Sequence, residues 1–244
     1  MKDRVTQKED DNNEGRSRRT FITKSLNIAL VTAVAGTGCL AGCKEEDEEE
    51  IGPPEDLMRE HGILNRVLLI YDHFLKMLAA NEPVNPQYIT GTAGIIRTFI
   101  EEYHEKQEED FLFPRFEKAH QLTNLVRVLK EQHQQGRLIT GQLLQLGKQP
   151  QVSSDGDKEK LSSLITAFIQ MYRPHEARED TVLFPALRKI ISKHEFDALG
   201  EDFEKREHQL FGEGGFGLFV DKVAGIEQQL GLYELAQYTP HIQA

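Results

Sequence analysis

The chain has 244 residues, with 40 Asp and Glu against 29 Lys and Arg and a formal net charge of −11. That acidic balance argues against a nucleic-acid binder, which needs a basic footprint. With only 2 cysteines there is no framework of disulfide staples, so stability must come from a packed core.

The chain opens on what reads as an address. Ser17-Arg18-Arg19-Thr20-Phe21 and Lys24 precede an apolar run from about Leu26 to Leu40. The run is shorter than the roughly 20 residues a membrane-spanning helix needs, which suits a signal segment. It ends in Leu40-Ala41-Gly42-Cys43. In this order the elements resemble a bacterial twin-arginine export signal ending in a lipoprotein lipobox. The resemblance implies a signal peptide over 1–42, lipidation of Cys43, and a lipid-anchored place in the periplasm or cell envelope. Glu45 to Glu50 is an unbroken acidic run and reads as a solvated spacer within a linker over 43–54.

Helical patterning begins after the linker. Pro53-Pro54 followed by Glu55-Asp56 predicts a helix start, because proline suits the first turn and acids suit the positive end of the helix dipole. The first helix is expected over about 55–80, with Leu57, His61, Leu64, Leu68, Tyr71, Leu75 and Leu78 on one face. After a turn at Asn81 to Pro86, the second is expected over about 87–117, bending near Pro114. Its inward face is read as Ile96, Ile100, His104, Glu108 and Phe111. The third is expected over about 122–146, with Leu122, Val126, Leu129, His133, Thr140 and Leu144 inward. A polar loop over 147–156 leads to the fourth, about 158–191. Its inward face is read as Leu161, Leu164, Phe168, Met171, His175, Glu179 and Val182, with Pro174 inside it. The tail predicts more helix over about 195–210 and 218–230. Between them, Gly212 to Gly217 spells GxGxxG. It follows a helix rather than a strand, so it reads as a turn that folds the tail back, not a nucleotide loop.

One stretch occurs twice. His104 is followed four residues later by Glu108 and nine later by Phe113-Pro114; His175 is followed in the same way by Glu179 and Phe184-Pro185. Residues four apart share a helix face, so each stretch aims an imidazole and a carboxylate at one point. His61 and His133 each interrupt an otherwise apolar stripe. Burying four imidazoles and two carboxylates with no cation would leave polar groups unpaired at about 1–3 kcal/mol each. Spacing alone therefore predicts a mixed imidazole and carboxylate site suited to iron, manganese or zinc.

The arrangement resembles the hemerythrin-like (HHE cation-binding) family: a His on the first helix, His-x3-Glu on the second, a His on the third, and His-x3-Glu on the fourth. The resemblance implies an all-α fold, an up-down four-helix bundle over 55–192 with a helical extension over 193–244. It also implies a non-haem di-iron site on His61, His104, Glu108, His133, His175 and Glu179, the two glutamates as bridges. Two departures from the invertebrate oxygen carriers of the family stand out. Arg137 occupies the place of a second third-helix histidine, and Asp180 has the spacing of the carriers' last carboxylate. Glu179 is the preferred ligand, with Asp180 an outer partner or substitute. Asn65, Glu109 and Arg137 are further candidates of that kind, Arg137 able to neutralise a bridging carboxylate or close an open position.

The function expected is the binding or sensing of dioxygen or another small ligand such as nitric oxide, at a membrane reached through Cys43. The alternatives are a di-iron enzyme reducing peroxide or nitric oxide, or a site for storage or structure only. Nothing in the sequence shows a substrate channel or a protein partner.

Overall fold

The computed structural model describes residues 51–242. The expected export signal, Cys43 and the acidic run Glu45 to Glu50 lie outside the described residues.

Four long helices form the body. Helix α1 is Pro53–Ala79, opened by Pro53 and Pro54 with Glu55 and Asp56 in its first turn. It stops where Asn81 turns left-handed at φ 58°. Helix α2 starts at Pro86–Ile95, where the Asn85 side chain accepts a hydrogen bond from the Gln87 amide. It continues without a break through Ile96–His104, Glu105–Gln107 and Glu108–Leu112 to Phe113–Lys118. Helix α3 is Thr123–Gly147. Helix α4 is Asp155–Arg178, capped by Ser154, and runs on through Glu179–Leu183 to Phe184–Ile190. Helices α1 and α3 each pack on both α2 and α4, the up-down arrangement of a four-helix bundle.

Three stretches are π-helical, Ile96–His104, Glu108–Leu112 and Glu179–Leu183, and each of the last two is followed by Phe-Pro. Proline has no N–H to give the carbonyl four residues back, so the turn before it widens. The widened turn moves the inward face on by one residue and corrects two expectations. Val182 is 40% exposed and Leu183 fully buried in its place. Phe111 is only partly buried, while Leu112 and Phe113 are fully buried. Nine residues of regular α-helix would turn Phe113 to the side opposite His104. The π-turn is what brings it, and Phe184, inward.

The core has two apolar blocks with a polar layer between. One holds Leu64 to Phe74 of α1, Ile96 to Tyr103 of α2, Leu143 and Leu146 of α3, and Leu161 to Tyr172 of α4. The other holds Leu57, Leu112, Phe113, Phe116, Val126, Leu129, Leu183, Phe184 and Leu187. On every helix the histidine falls at the junction.

The tail joins both blocks. Helix α5 is Lys193–Phe211, with a capping box between Ser192 and Glu195, and helix α6 is Gly215–Gln229. Phe196, Leu199 and Phe203 of α5 enter one block, and Phe219 and Val223 of α6 the other. The GxGxxG segment is the turn between them. Gly215 sits at φ 40°, and a Cβ there would come within 1.8 Å of Glu207 Oε1, which accepts the Phe216 amide at 2.7 Å.

Candidate metal centre

Each helix of the bundle delivers its histidine to the layer between the blocks. His61 of α1 and His104 of α2 group with Glu108; His133 of α3 and His175 of α4 group with Glu179. In each trio the donor atoms lie within 4.8 Å of one another. The trios also interlock. Glu108 Oε2 lies 3.8 Å from His104 Nε2 and 3.4 Å from His133 Nε2. Glu179 Oε2 lies 3.1 Å from His175 Nε2 and 3.4 Å from His61 Nε2. Each carboxylate therefore reaches imidazoles of both halves.

The outer ring nitrogens explain why every Nε2 points inward. His61 Nδ1 meets Asp180 at 2.8 Å, His104 Nδ1 meets Glu60 at 2.8 Å, His133 Nδ1 meets Glu109 at 3.1 Å, and His175 Nδ1 meets Gln132 at 2.8 Å. An acceptor on one ring nitrogen fixes the tautomer and leaves the other nitrogen's lone pair for a cation. Aromatic rings back the layer: Phe184 stacks on His61 and Phe113 on His133, each with centroids 5.5 Å apart.

The inner atoms are dry and short of partners. His133, Glu108 and Glu179 are fully buried. Both oxygens of Glu108, both oxygens of Glu179 and His133 Nε2 find no hydrogen bond among the described residues. Orphaned buried groups of this kind are rare in folded proteins. Four neutral imidazole nitrogens with two carboxylates are a donor set that a divalent first-row metal satisfies. The residues present fit such an ion.

Without a cation these groups share protons among themselves instead. Burial, with Glu179 close by, pushes the Glu108 carboxyl well above its usual range. Burial opposes ionisation of Glu179 too, but the His175 and His61 imidazoles outweigh it and hold that carboxyl well below the usual range. Burial and the neighbouring His61 lower His104. Burial works against charge on His61, yet Asp180 and Glu179 carry it up to about 10.

The structure brings together all six residues expected to converge and sorts the remaining candidates. Asp180 and Glu109 sit on outer ring nitrogens. Arg137 pairs with Glu105 and Glu109, each at 2.8 Å, so it answers those carboxylates and not the two shared ones. Asn65 donates to Glu176 at 2.5 Å. Next to Pro174, the His175 ring bonds Gln132 across the helix interface. His208 is exposed and lies 3.9 Å from Glu213, away from the centre.

Sequence reasoning missed Glu60, Gln132, Glu105 and Glu176. A signal was present. Glu60 and Gln132 precede His61 and His133, and Glu105 and Glu176 each follow the histidine of a His-x3-Glu pair. Tyr172 bonds Glu105 at 2.7 Å, and Tyr103 bonds Glu207 at 3.1 Å.

Comparison with known proteins agrees with this geometry. The hemerythrin HHE cation binding domain matches residues 52–187. Uncharacterized proteins of Mycobacterium bovis and Mycobacterium tuberculosis are each 46% identical to this chain over 195 residues, covering 80% of it and 76% of their own length. No solved structure matches. By fold, by donor set and by sequence, the chain belongs to the hemerythrin HHE cation-binding family.

Proposed function

We propose that the chain holds a pair of iron ions and binds a small ligand, dioxygen or nitric oxide, reversibly. His61, His104 and Glu108 would hold one ion, His133, His175 and Glu179 the other, with the two glutamates shared. The observation that carries this is the inward aim of four imidazoles, each fixed from outside, onto two buried carboxylates without hydrogen-bond partners. When bound, paired iron supplies redox-active Lewis-acid positions for a small ligand. The chain supplies the rest. Phe113, Phe184, Leu112 and Leu183 are fully buried on one side of the layer, and Tyr103 and Tyr172 close the other. Such packing keeps water and large substrates out and favours a diatomic ligand over a bulky one.

The reading includes export. The Arg18-Arg19 pair, the apolar run and Cys43 support a lipid-anchored protein of the cell envelope. Replacing Arg18 and Arg19 by lysine should hold the protein in the cytoplasm; unchanged export would sink that part.

The test of the centre is metal analysis with visible spectra, taken anaerobically and then in air. The expected result is about two irons per chain and an absorption band that comes with oxygen and goes when it is removed. Irreversible oxidation, with steady turnover of peroxide, would favour an enzyme. Loaded protein that ignores small ligands would mean storage or structure only. Zinc alone, or a stable fold that takes no metal, would overturn the reading.

A further inference from the structure

The inner donors match between the two halves, but the groups behind them do not. Glu60 and Gln132 hold equivalent positions, one residue before His61 and His133. They make the same contact, an oxygen 2.8 Å from the Nδ1 of His104 or of His175. One oxygen belongs to a carboxylate and the other to a neutral amide. Asp180 and Glu109 form a second equivalent pair, behind His61 and His133. Glu109 is shared with two cations, Lys106 Nζ at 2.6 Å and Arg137 Nη1 at 2.8 Å. Among the described residues, the ion-pair partner of Asp180 is His61 itself.

A carboxylate behind an imidazole makes the ring a stronger donor and adds negative charge near the ion; an amide adds neither. His61 and His104 both have carboxylate backing. For His133 the backing charge is answered by Arg137 and Lys106, and for His175 it is missing. Asp180 is 36% exposed, so solvent screens part of its contribution. Glu60 is 1% exposed and carries most of the difference.

We propose that the two metal positions are unequal, the one on His61 and His104 taking the first divalent ion, with Glu60 and Gln132 as the positioning residues that set the order. This rests on the metal-centre reading above. Changes to groups behind metal ligands alter affinity about 10–100-fold, and the same spread is expected between the two positions.

The test is an anaerobic titration of the purified, metal-free full chain with ferrous ion, followed by proton NMR of the imidazole ring N–H groups. Iron shifts these signals far from the protein envelope. Glu60→Gln identifies the His104 signal by moving it, and Gln132→Glu identifies that of His175. Up to one equivalent, the His104 signal should appear in shifted form. The His175 signal should follow only with the second. The double variant Glu60→Gln with Gln132→Glu should reverse that order, a result that a merely structural role for Glu60 would not give. Parallel appearance of both signals, or His175 first in the natural chain, overturns the proposal while leaving the metal centre in place. Absence of any iron binding overturns both.

Discussion

Helices α1 and α2 and helices α3 and α4 are two versions of one plan. Each pair has a lone histidine, a His-x3-Glu and a π-turn ending in Phe-Pro, and each sends its phenylalanine onto the other pair's lone histidine. The outer partners cross over in the same way, Asp180 to His61 and Glu109 to His133. The chemistry of the outer positions differs: Glu60 against Gln132, Asp180 against Glu109 with its cations, Asn65 against Arg137. The inner donors have to meet ions at fixed positions, and the bundle repeats them. The outer groups touch the ions only through a ring, so their charge can vary without moving a ligand.

The largest effect should come from the groups the halves share. Glu108→Ala and Glu179→Ala should each strip iron from both positions, weakening binding by more than the roughly 100-fold that an outer partner costs. Iron analysis beside far-ultraviolet circular dichroism checks this. A folded variant that keeps about one iron per chain would show that its carboxylate serves one half only. Next in size is the pair Arg137 and Asn65. Arg137→Ala leaves Glu105, 1% exposed, without its cation. Removing one partner of a buried ion pair costs about 3–5 kcal/mol; Arg137 is itself a quarter exposed, so about 2–3 kcal/mol is expected. Asn65→Ala removes two hydrogen bonds, to Glu176 and to the His61 carbonyl, and should cost about 1–2 kcal/mol. Urea unfolding of both metal-free variants gives the ratio, and equal costs would mean that the outer positions are energetically alike.

The fold and the inner site were legible because both rest on period. Six residues at helical spacings could be placed on facing surfaces from the sequence, and the structure brings them together. The outer partners were not legible, because His175 and Gln132 meet across an interface that no local spacing encodes. The errors at Phe111 and Val182 share one cause. A regular period was carried through segments where Pro114 and Pro185 impose a wider turn. The prolines were visible in the sequence; their effect on register was not drawn from them. Arg137 shows a further limit, since one helical step decides between a shared carboxylate, solvent, and the Glu105 and Glu109 that it meets.

Two glycines extend the comparison to packing. Gly62 follows His61 on α1, and a Cβ there would meet nothing within 4 Å. Gly62→Ala should stabilise the chain by about 0.5–1 kcal/mol, the ordinary gain of alanine over glycine inside a helix. Gly136 lies on α3 beneath Tyr172, and a Cβ there would come 2.0 Å from the tyrosine hydroxyl. That hydroxyl is tied to Glu105, so it cannot simply swing away. Gly136→Ala should destabilise by about 1–3 kcal/mol through overpacking, despite the helix gain. Thermal unfolding of the two variants should therefore shift in opposite directions, and a rise in both would show that Tyr172 is free to move.

The smallest effect expected is in pH dependence. Glu101 stands three residues before His104, where Tyr172 stands before His175. Burial raises the Glu101 carboxyl to about 7, and the charge of Glu105 adds to this; Thr140, Arg97 and Arg137 pull the other way. The Arg97 contact at 2.6 Å does not reverse the shift, because the carboxylate has lost more to desolvation than one half-exposed guanidinium returns. The folded value lies above the unfolded value of about 4.5, so the stability that Glu101 contributes is complete below that pH and is lost as pH rises through about 7. Glu101→Gln should reduce this slope without abolishing it, because burial also raises the Glu176 carboxyl of α4 to about 7; relative to the variant, the natural chain should lose urea resistance between pH 5 and pH 8. Burial and Glu105 lift the Tyr172 hydroxyl well above its usual range, so Tyr172→Phe should leave the slope unchanged. A slope left unchanged by Glu101→Gln would place the titrating group elsewhere.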